Sequence, residues 1–349
     1  MGLFVGEQLG PHNYKPAWIT RWLFPKGLSG NGPSGNGVGI KEKSQPVNFL
    51  TGSERKAWLP LGLVFLFRCY LGNFNTFRSF IIYNWREKFG HVKIADQKAN
   101  KTAAEFKADL KEFTKDHPQI DILGVARMNP DWMFQGMHAP FGDWVVVIAK
   151  AMDYDELAHN LKGDFTPALK QVIGGYERTQ FAAVDVANWM RKQGYMAKGF
   201  GGLAPVKNEW HAVIPPAIEA GIGQLAKNGS LISDKLGSCF RIATVMTTMP
   251  LVADQPREQG VDEFCVSCRK CTTDCPPGAI YDEKKLVRGV EKWYVDFDKC
   301  IPFMSENKAC AICLSTCPWS RPGIAPSLSQ KMLKKLARRE TATEAAMAE

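Results

Sequence analysis

The chain has no run of about 20 apolar residues, the length a helix needs to cross a bilayer. Its two richest apolar stretches, residues 58–67 and 77–85, are ended by Arg68 and interrupted by Arg78. No charged segment followed by an apolar core opens the sequence, and no Arg-Arg pair occurs before Arg338. No export signal is therefore read, and the expected location is the cytoplasm. Acidic residues are scarce at the start: residues 1–100 hold 13 Lys and Arg against 5 Asp and Glu, most of the excess behind the net charge of +9. Such a surplus suits an acidic partner such as a membrane surface, nucleic acid or an acidic electron carrier. Basic residues beside aromatic ones would allow peripheral contact at the inner membrane. Burial of both stretches as helices against the rest of the protein is the favoured reading. Cysteine is nearly absent outside one segment, and the two outliers, Cys69 and Cys239, are expected to be small buried apolar residues.

The other eight cysteines fall between Cys265 and Cys317. Cys265, Cys268, Cys271 and Cys275 form C-x2-C-x2-C-x3-C followed by Pro276, and Cys300, Cys310, Cys313 and Cys317 form a second run followed by Pro318. In such runs three close thiolates hold one 4Fe-4S cube, and the fourth, turned away by the proline, reaches the neighbouring cube. The expected sets are Cys265, Cys268, Cys271 and Cys317 for one cluster and Cys275, Cys300, Cys310 and Cys313 for the other. Structural zinc is the plainer alternative, since C-x2-C pairs also make tetrahedral sites. Disulfides do not suit this spacing in a chain with no secretory context. Residues 301–309, between the first two ligands of the second run, are expected to bulge out as a loop.

At 349 residues there is room for two or three domains. Residues 27–39 (GLSGNGPSGNGVG) lack the Lys-Ser ending of a phosphate loop and read as a flexible surface arm. Helical spacing is expected over 95–116, 165–193 and 215–227, with a break in the second at Gly174-Gly175. Residues 120–126, 144–149 and 241–248 are β-branched runs that read as strands. Residues 221–226 fit a loose G-x-G-x-x-A, but a proline-started helix precedes them, so the dinucleotide mechanism is missing. The expected class is α/β (α+β), divided into a basic N-terminal region (1–115), an α/β body (116–255), a ferredoxin-like module (256–325) and a polar tail (326–349).

Read as one window, Asn208-Glu-Trp-His-Ala-Val-Ile-Pro-Pro, Ala220-Gly-Ile-Gly, Lys227-Asn-Gly-Ser-Leu-Ile-Ser, Phe240-Arg241, Thr248-Met-Pro-Leu and Gly260-Val-Asp-Glu-Phe-Cys265 stand in the order found in one family. With Cys317-Pro-Trp319 and the stretches 122–128 and 152–154, the chain resembles the cobalamin-dependent reductive dehalogenases over residues 116–322. The resemblance implies a nitroreductase-like domain holding a cobalamin, two 4Fe-4S clusters, a small halogenated organic substrate and an external electron donor such as ferredoxin, flavodoxin or a reductase. In that family a Tyr, an Asn and an Arg surround the substrate. Counting back from the turn Arg191 to Tyr195 places the Tyr at Tyr176; the Asn falls on Asn208, and the second Arg of the family's Arg-Val-Arg on Arg241. A phenol is a poor acid until a nearby cation favours its phenolate, so Arg241 could make Tyr176 the proton donor, with Asn208 orienting it. His211 is read as a polar contact and not a cobalt ligand. Ser238 and Cys239 stand where the family has Pro and Arg, and Glu209 replaces an Asp. Two other functions stay open. One is the related epoxyqueuosine reductase, whose catalytic Asp has no counterpart in residues 199–233, so nucleic acid is not the expected partner. The other is an electron-transfer subunit without a corrinoid.

Overall fold

The structure, a computed structural model, describes residues 3–24, 26–48, 55–71, 73–201 and 209–348. In chain order the elements are β1 (Glu7–Gly10), β2 (Asn13–Lys15), α1 (Trp18–Leu23), α2 (Arg55–Leu66), α3 (Phe74–Phe89) and α4 (Ala103–Lys115). The body follows with β3 (Ile122–Arg127), β4 (Trp144–Ala151), α5 (Tyr154–Ala158), α6 (Phe165–Lys192), β5 (Ala197–Phe200), α7 (Ile214–Glu219), β6 (Gln224–Leu225), β7 (Leu231–Ile232) and β8 (Phe240–Thr247). The cysteine-bearing part holds α8 (Val261–Ser267), α9 (Lys270–Asp274), β9 (Lys285–Val287), β10 (Val290–Lys292), α10 (Phe297–Glu306) and α11 (Ile312–Ser315), and α12 (Ile324–Ala348) ends the chain.

Four strands pair in the order β3-β4-β8-β5, every neighbour antiparallel. The sheet is therefore α+β and not doubly wound. β4 is central and apolar on both sides: Val145, Val146, Val147, Ile148 and Ala149 are fully buried. Alternate residues serve opposite layers, as a two-residue repeat requires. Val146, Ile148, Ala243 and Val245 meet Ala183, Val186 and Met190 of α6, whereas Val145, Val147, Phe240 and Met246 meet Trp132, Trp210 and Ala217 on the other side. On the outer strand β3, the Asp254 carboxylate accepts from Val125 N–H at 2.8 Å, and Asp254 N–H donates to Val125 O at 2.7 Å. One carboxylate thus occupies a strand edge that would otherwise be open.

α6 runs 28 residues without the expected break. Gly175 is there for space: a Cβ would stand 2.8 Å from Arg241 Cγ, so glycine lets the arginine of β8 cross the helix. The helix expected over 215–227 is only α7, because Gly221 at φ +68° turns the chain out of it and residues 224–225 become a short strand. The loop expected over 301–309 is mostly helix as well, since α10 continues to Glu306 with Pro302 inside it.

The glycine-rich segment is docked, not a free arm. Gly30 N–H donates to Asp298 at 2.7 Å, the Asn31 amide to Asp296 at 2.9 Å, and Gly39 N–H to Leu286 O at 2.8 Å. Glycine permits this closeness, since a Cβ on Gly30 would fall 2.1 Å from the Phe297 ring. Earlier in the chain, the buried Glu306 accepts from Ala17 N–H at 2.9 Å, Gly6 N–H at 2.6 Å and the Tyr14 hydroxyl. Gly6, Tyr14, Ala17, Gly30 and Asn31 thus tie the N-terminal segment to the cysteine-bearing module through its carboxylates, whereas Lys43 and Gln45 reach Asp131 and Pro130 of the body.

α3 packs on α6 with its polar row inward: Thr76, Ser79, Tyr83 and Glu87 are buried. Glu87 Oε2 has no hydrogen-bond partner among the described residues, and burial, only partly offset by Lys198, pushes its carboxyl up to about 7. The folded state therefore holds this proton more tightly than the unfolded chain. The stabilisation is complete below about pH 4.5 and is lost as pH rises to about 7, an effect on the order of 3 kcal/mol. Glu87→Gln should abolish that slope and raise the melting temperature at pH 8 relative to the parent, read by thermal unfolding at several pH values. Equal slopes for the two proteins would contradict it.

Candidate functional site

α8 carries Cys265 and ends at Cys268, α9 carries Cys271, and Cys275 follows at its end. Cys300 sits on α10, Cys313 on α11, and Cys317 starts the turn Pro318–Ser320. The chain between α10 and α11 is unusual: Lys308, Ala309, Cys310 and Ala311 all have positive φ, from 43° to 66°. Left-handed backbone costs a non-glycine residue about 1–2 kcal/mol, and consecutive cases persist only where the surroundings demand them. This left-handed turn, and not an outward bulge, brings Cys310 back toward Cys300.

Four of the thiols share a cavity although one of them is far from the others in the sequence. Cys265, Cys268, Cys271 and Cys317 line one cavity with Phe264, Lys227 and Pro318. Cys275 packs with Cys271, Cys300 and Cys313 against Ala279 and Ile280, and Cys310 lies within electrostatic reach of both Cys275 and Cys300. Burial pushes the Cys265 thiol up to about 11 and those of Cys271 and Cys300 up to about 12; Cys310, Cys313 and Cys317 move in the same direction. Left bare, such thiols stay protonated at neutral pH, whereas a bound cation deprotonates a coordinating thiol outright. Main-chain N–H groups point at the sulfurs: Ala279 donates to Cys275 Sγ at 3.3 Å, Ile312 to Cys310 and Trp319 to Cys317. Hydrogen bonds to sulfur are one of the controls on cluster potential. Eight neighbouring thiols, four buried and four half-buried, with apolar walls and N–H donors make a donor set that fits iron-sulfur cubes.

Three side chains of the body hold carbonyls of this module. Lys227 Nζ donates to Cys268 O at 3.0 Å, Asn228 Nδ2 to Cys313 O at 3.1 Å, and Asn160 Nδ2 to Cys310 O at 2.9 Å. Lys227 is 1% exposed, with its ammonium 3.6 Å from Asp282 and 5.0 Å from the Trp293 ring centre. A buried ammonium beside one thiol set places a fixed positive charge where a cluster would take up an electron. The Asn228 amide also donates to Ser238 Oγ at 3.1 Å, which gives the serine at that position a role. Sequence reasoning did not single out Lys227, Asn228 or Asn160. The Lys-Asn-Gly triplet was the available signal for two of them; nothing local marks Asn160.

Tyr176 and Arg241 come together. The guanidinium carbon lies 4.9 Å from the Tyr176 ring centre, so the cation sits over the ring and not beside the hydroxyl. Arg241 Nε is buried with no hydrogen-bond partner among the described residues, as are both amide atoms of Gln180, one helical turn beyond Tyr176. Buried polar groups are rarely left unpaired, and a bound molecule would satisfy these. This is the observation on which a corrinoid or substrate fits the body. Asn208 lies outside the described residues, immediately before Glu209. His211 is buried on the other face of the sheet, 3.0 Å from Thr244 Oγ1, and burial pushes its imidazole down to about 4, so it is neutral. Cys69 and Cys239 are buried, their thiols pushed up to about 12 and about 11 by burial. Tyr176 and Cys313 pack against one apolar group formed by Met152, Leu169, Ile173, Cys239 and Leu314.

Residues 264–320 match the family model of the 4Fe-4S dicluster domain, which decides against the zinc alternative. The tetrachloroethene reductive dehalogenase of Desulfitobacterium hafniense is 32% identical over 218 residues, 58% of this chain and 37% of that protein. An epoxyqueuosine reductase of Synechococcus sp. (strain RCC307) is 34% identical over 119 residues, 30% of this chain and 33% of the relative. A variant of the catabolic reductive dehalogenase NpRdhA superposes with a TM-score of 0.65 at 22% identity, over 78% of this chain and 41% of that one. A reductive dehalogenase structure described as suggesting a mechanism for B12-dependent dehalogenation gives 0.61 at 21% identity, over 72% and 38%. The chain thus spans well under half the length of the dehalogenases it matches. In sequence and in fold it resembles the reductive dehalogenases, and it carries a domain for two 4Fe-4S clusters at its C-terminal side.

Proposed function

We propose that the chain is an iron-sulfur oxidoreductase that passes electrons through two 4Fe-4S clusters to a cobalamin and reductively removes halide from a small organic substrate. The observation that supports it most is the single apolar group shared by Cys313 and Tyr176, with Arg241 over the phenol ring. In this reading Cys265, Cys268, Cys271 and Cys317 hold the outer cluster, and Cys275, Cys300, Cys310 and Cys313 hold the inner one. Bound at the body, the cobalamin would supply the low-potential reductant that cleaves a carbon-halogen bond. Exchange of halide for hydrogen takes up two electrons and one proton and releases a halide anion. Tyr176 gives the proton from its hydroxyl, with the Arg241 guanidinium held over its ring. Gln180 and Asn208 bind and orient the substrate or the phenol. The apolar wall of Met152, Leu169 and Ile173 keeps water from the acid. Electrons arrive from an external donor such as ferredoxin, flavodoxin or a reductase, and the basic N-terminal region meets the membrane surface from the cytoplasmic side.

The test is a single turnover. Protein loaded anaerobically with iron, sulfide and cobalamin, then reduced and freed of excess reductant, is mixed with a chlorinated or brominated phenol or alkene. Release of halide coupled to reoxidation of the cluster absorbance is expected. Reoxidation without halide, or no reaction with any member of such a panel, would leave an electron-transfer protein in place of a dehalogenase.

A further inference from the structure

α3 is amphipathic in the wrong sense for a helix covered only by water. While its polar row faces α6, Phe77, Ile81, Trp85 and Phe89 stand four residues apart in one exposed row, with Phe74 at its start. Phe74 is 79% and Trp85 60% exposed. A second row repeats the spacing at Leu63, Phe67 and Leu71, through α2 and the π-helical turn Phe67–Leu71 that packs on α3. On α1, which contacts α2, Trp18 and Trp22 are exposed one turn apart. Isolated exposed apolar residues need no explanation; contiguous rows on neighbouring helices mark an interaction surface.

The charge around these rows selects the partner. Residues 54–93 hold seven Lys and Arg against two acids, of which Glu87 is buried. Arg78 and Lys88 flank the α3 row and are exposed. Beside Phe67 and Leu71 a pocket is lined by Arg68, Lys308, Asn73 and Thr166, with no carboxylate among its described lining residues. Aromatic rows edged by cations, next to a cationic pocket, suit a bilayer surface that offers acyl chains and anionic headgroups together. Among the described residues no helix is long and apolar enough to cross a membrane, so the contact would be interfacial.

We infer that α1, the turn Phe67–Leu71 and α3 form one docking face for an anionic phospholipid bilayer, with apolar rows at the acyl boundary and the Arg68–Lys308 pocket taking a headgroup phosphate. The inference rests on membrane contact by the N-terminal region and assigns it to named residues. In flotation at low salt, the iron-loaded chain should bind phosphatidylcholine vesicles containing phosphatidylglycerol at least roughly tenfold more tightly than phosphatidylcholine alone, with the difference shrinking at high salt. The exposed double change Ile81→Ser with Trp85→Ser should lose most of that binding while keeping iron content and absorbance. Binding undiminished in the double variant would overturn the assigned face and leave membrane contact standing. No binding by the unaltered chain would overturn both. A concentration-dependent dimer without vesicles, abolished by the double variant, would overturn the lipid assignment in favour of a second copy of the chain.

Discussion

Cys317→Ser is expected to remove the cluster held by Cys265, Cys268 and Cys271, and Cys275→Ser the other one, although Cys275 lies only four residues after Cys271. The reason is the crossing: Cys317 shares a cavity with the first three cysteines, while Cys275 faces Cys300 and Cys313. Each single change should lower iron from about eight to about four per chain, since each cube holds four. Pairs make the test sharper. Cys317→Ser with Cys265→Ser should cost no more iron than either alone, because both act on one cube. Cys275→Ser with Cys265→Ser should remove nearly all of it. If that second pair retained about four irons per chain, the ligand sets would follow the sequence instead of crossing it. Low-temperature electron paramagnetic resonance of the reduced single variants should show one cluster signal without the coupling expected of two adjacent cubes.

Tyr176→Phe should leave iron, sulfide and cobalamin uptake unchanged and lower the rate of halide release by roughly 10²- to 10⁴-fold, the usual contribution of a positioned acid. Phenylalanine keeps the ring against Arg241 and the apolar group around Met152 and Ile173, so only the hydroxyl is lost. Arg241→Met should act through the same proton. It retains volume beside Gly175 but removes the charge over the ring, so the loss should lessen with a substrate whose carbanion is more basic. Full activity in Tyr176→Phe would assign the proton to another donor. Loss of cobalamin along with activity would make Tyr176 a binding residue.

The parts of this molecule legible in its sequence are those fixed by local chemistry. Strand β4 holds a continuous β-branched run because both faces of its sheet are buried, β3 and β8 are rich in apolar residues, and the eight thiols are spaced for their metal. Tyr176 and Arg241 were placed together only by resemblance, since one stands on α6 and the other on β8, and Gly175 gives no hint in sequence that it makes room for the arginine. The features not legible in the sequence rest on long-range partners. The glycine segment reads as a free arm because the carboxylates that order it, Asp296 and Asp298, lie about 265 residues away. Residues 301–309 read as a loop because nothing in Lys308 to Ala311 announces four left-handed residues. α3 was expected to bury its aromatic side; its polar row is the one that meets α6, and Glu87 goes inside without a full set of partners. Residues 215–227 read as one helix because Gly221, at positive φ, looks the same in sequence as any other glycine.

In the proposed function, two iron-sulfur cubes in the C-terminal module serve a corrinoid bound by the body. Anaerobic reconstitution with iron, sulfide and cobalamin, followed by gel filtration and metal analysis, tests it most directly. About eight irons, eight sulfides and one cobalt per chain are expected, with corrinoid absorption added to the broad iron-sulfur band. A brown protein with its full iron that never retains cobalt would contradict the claim.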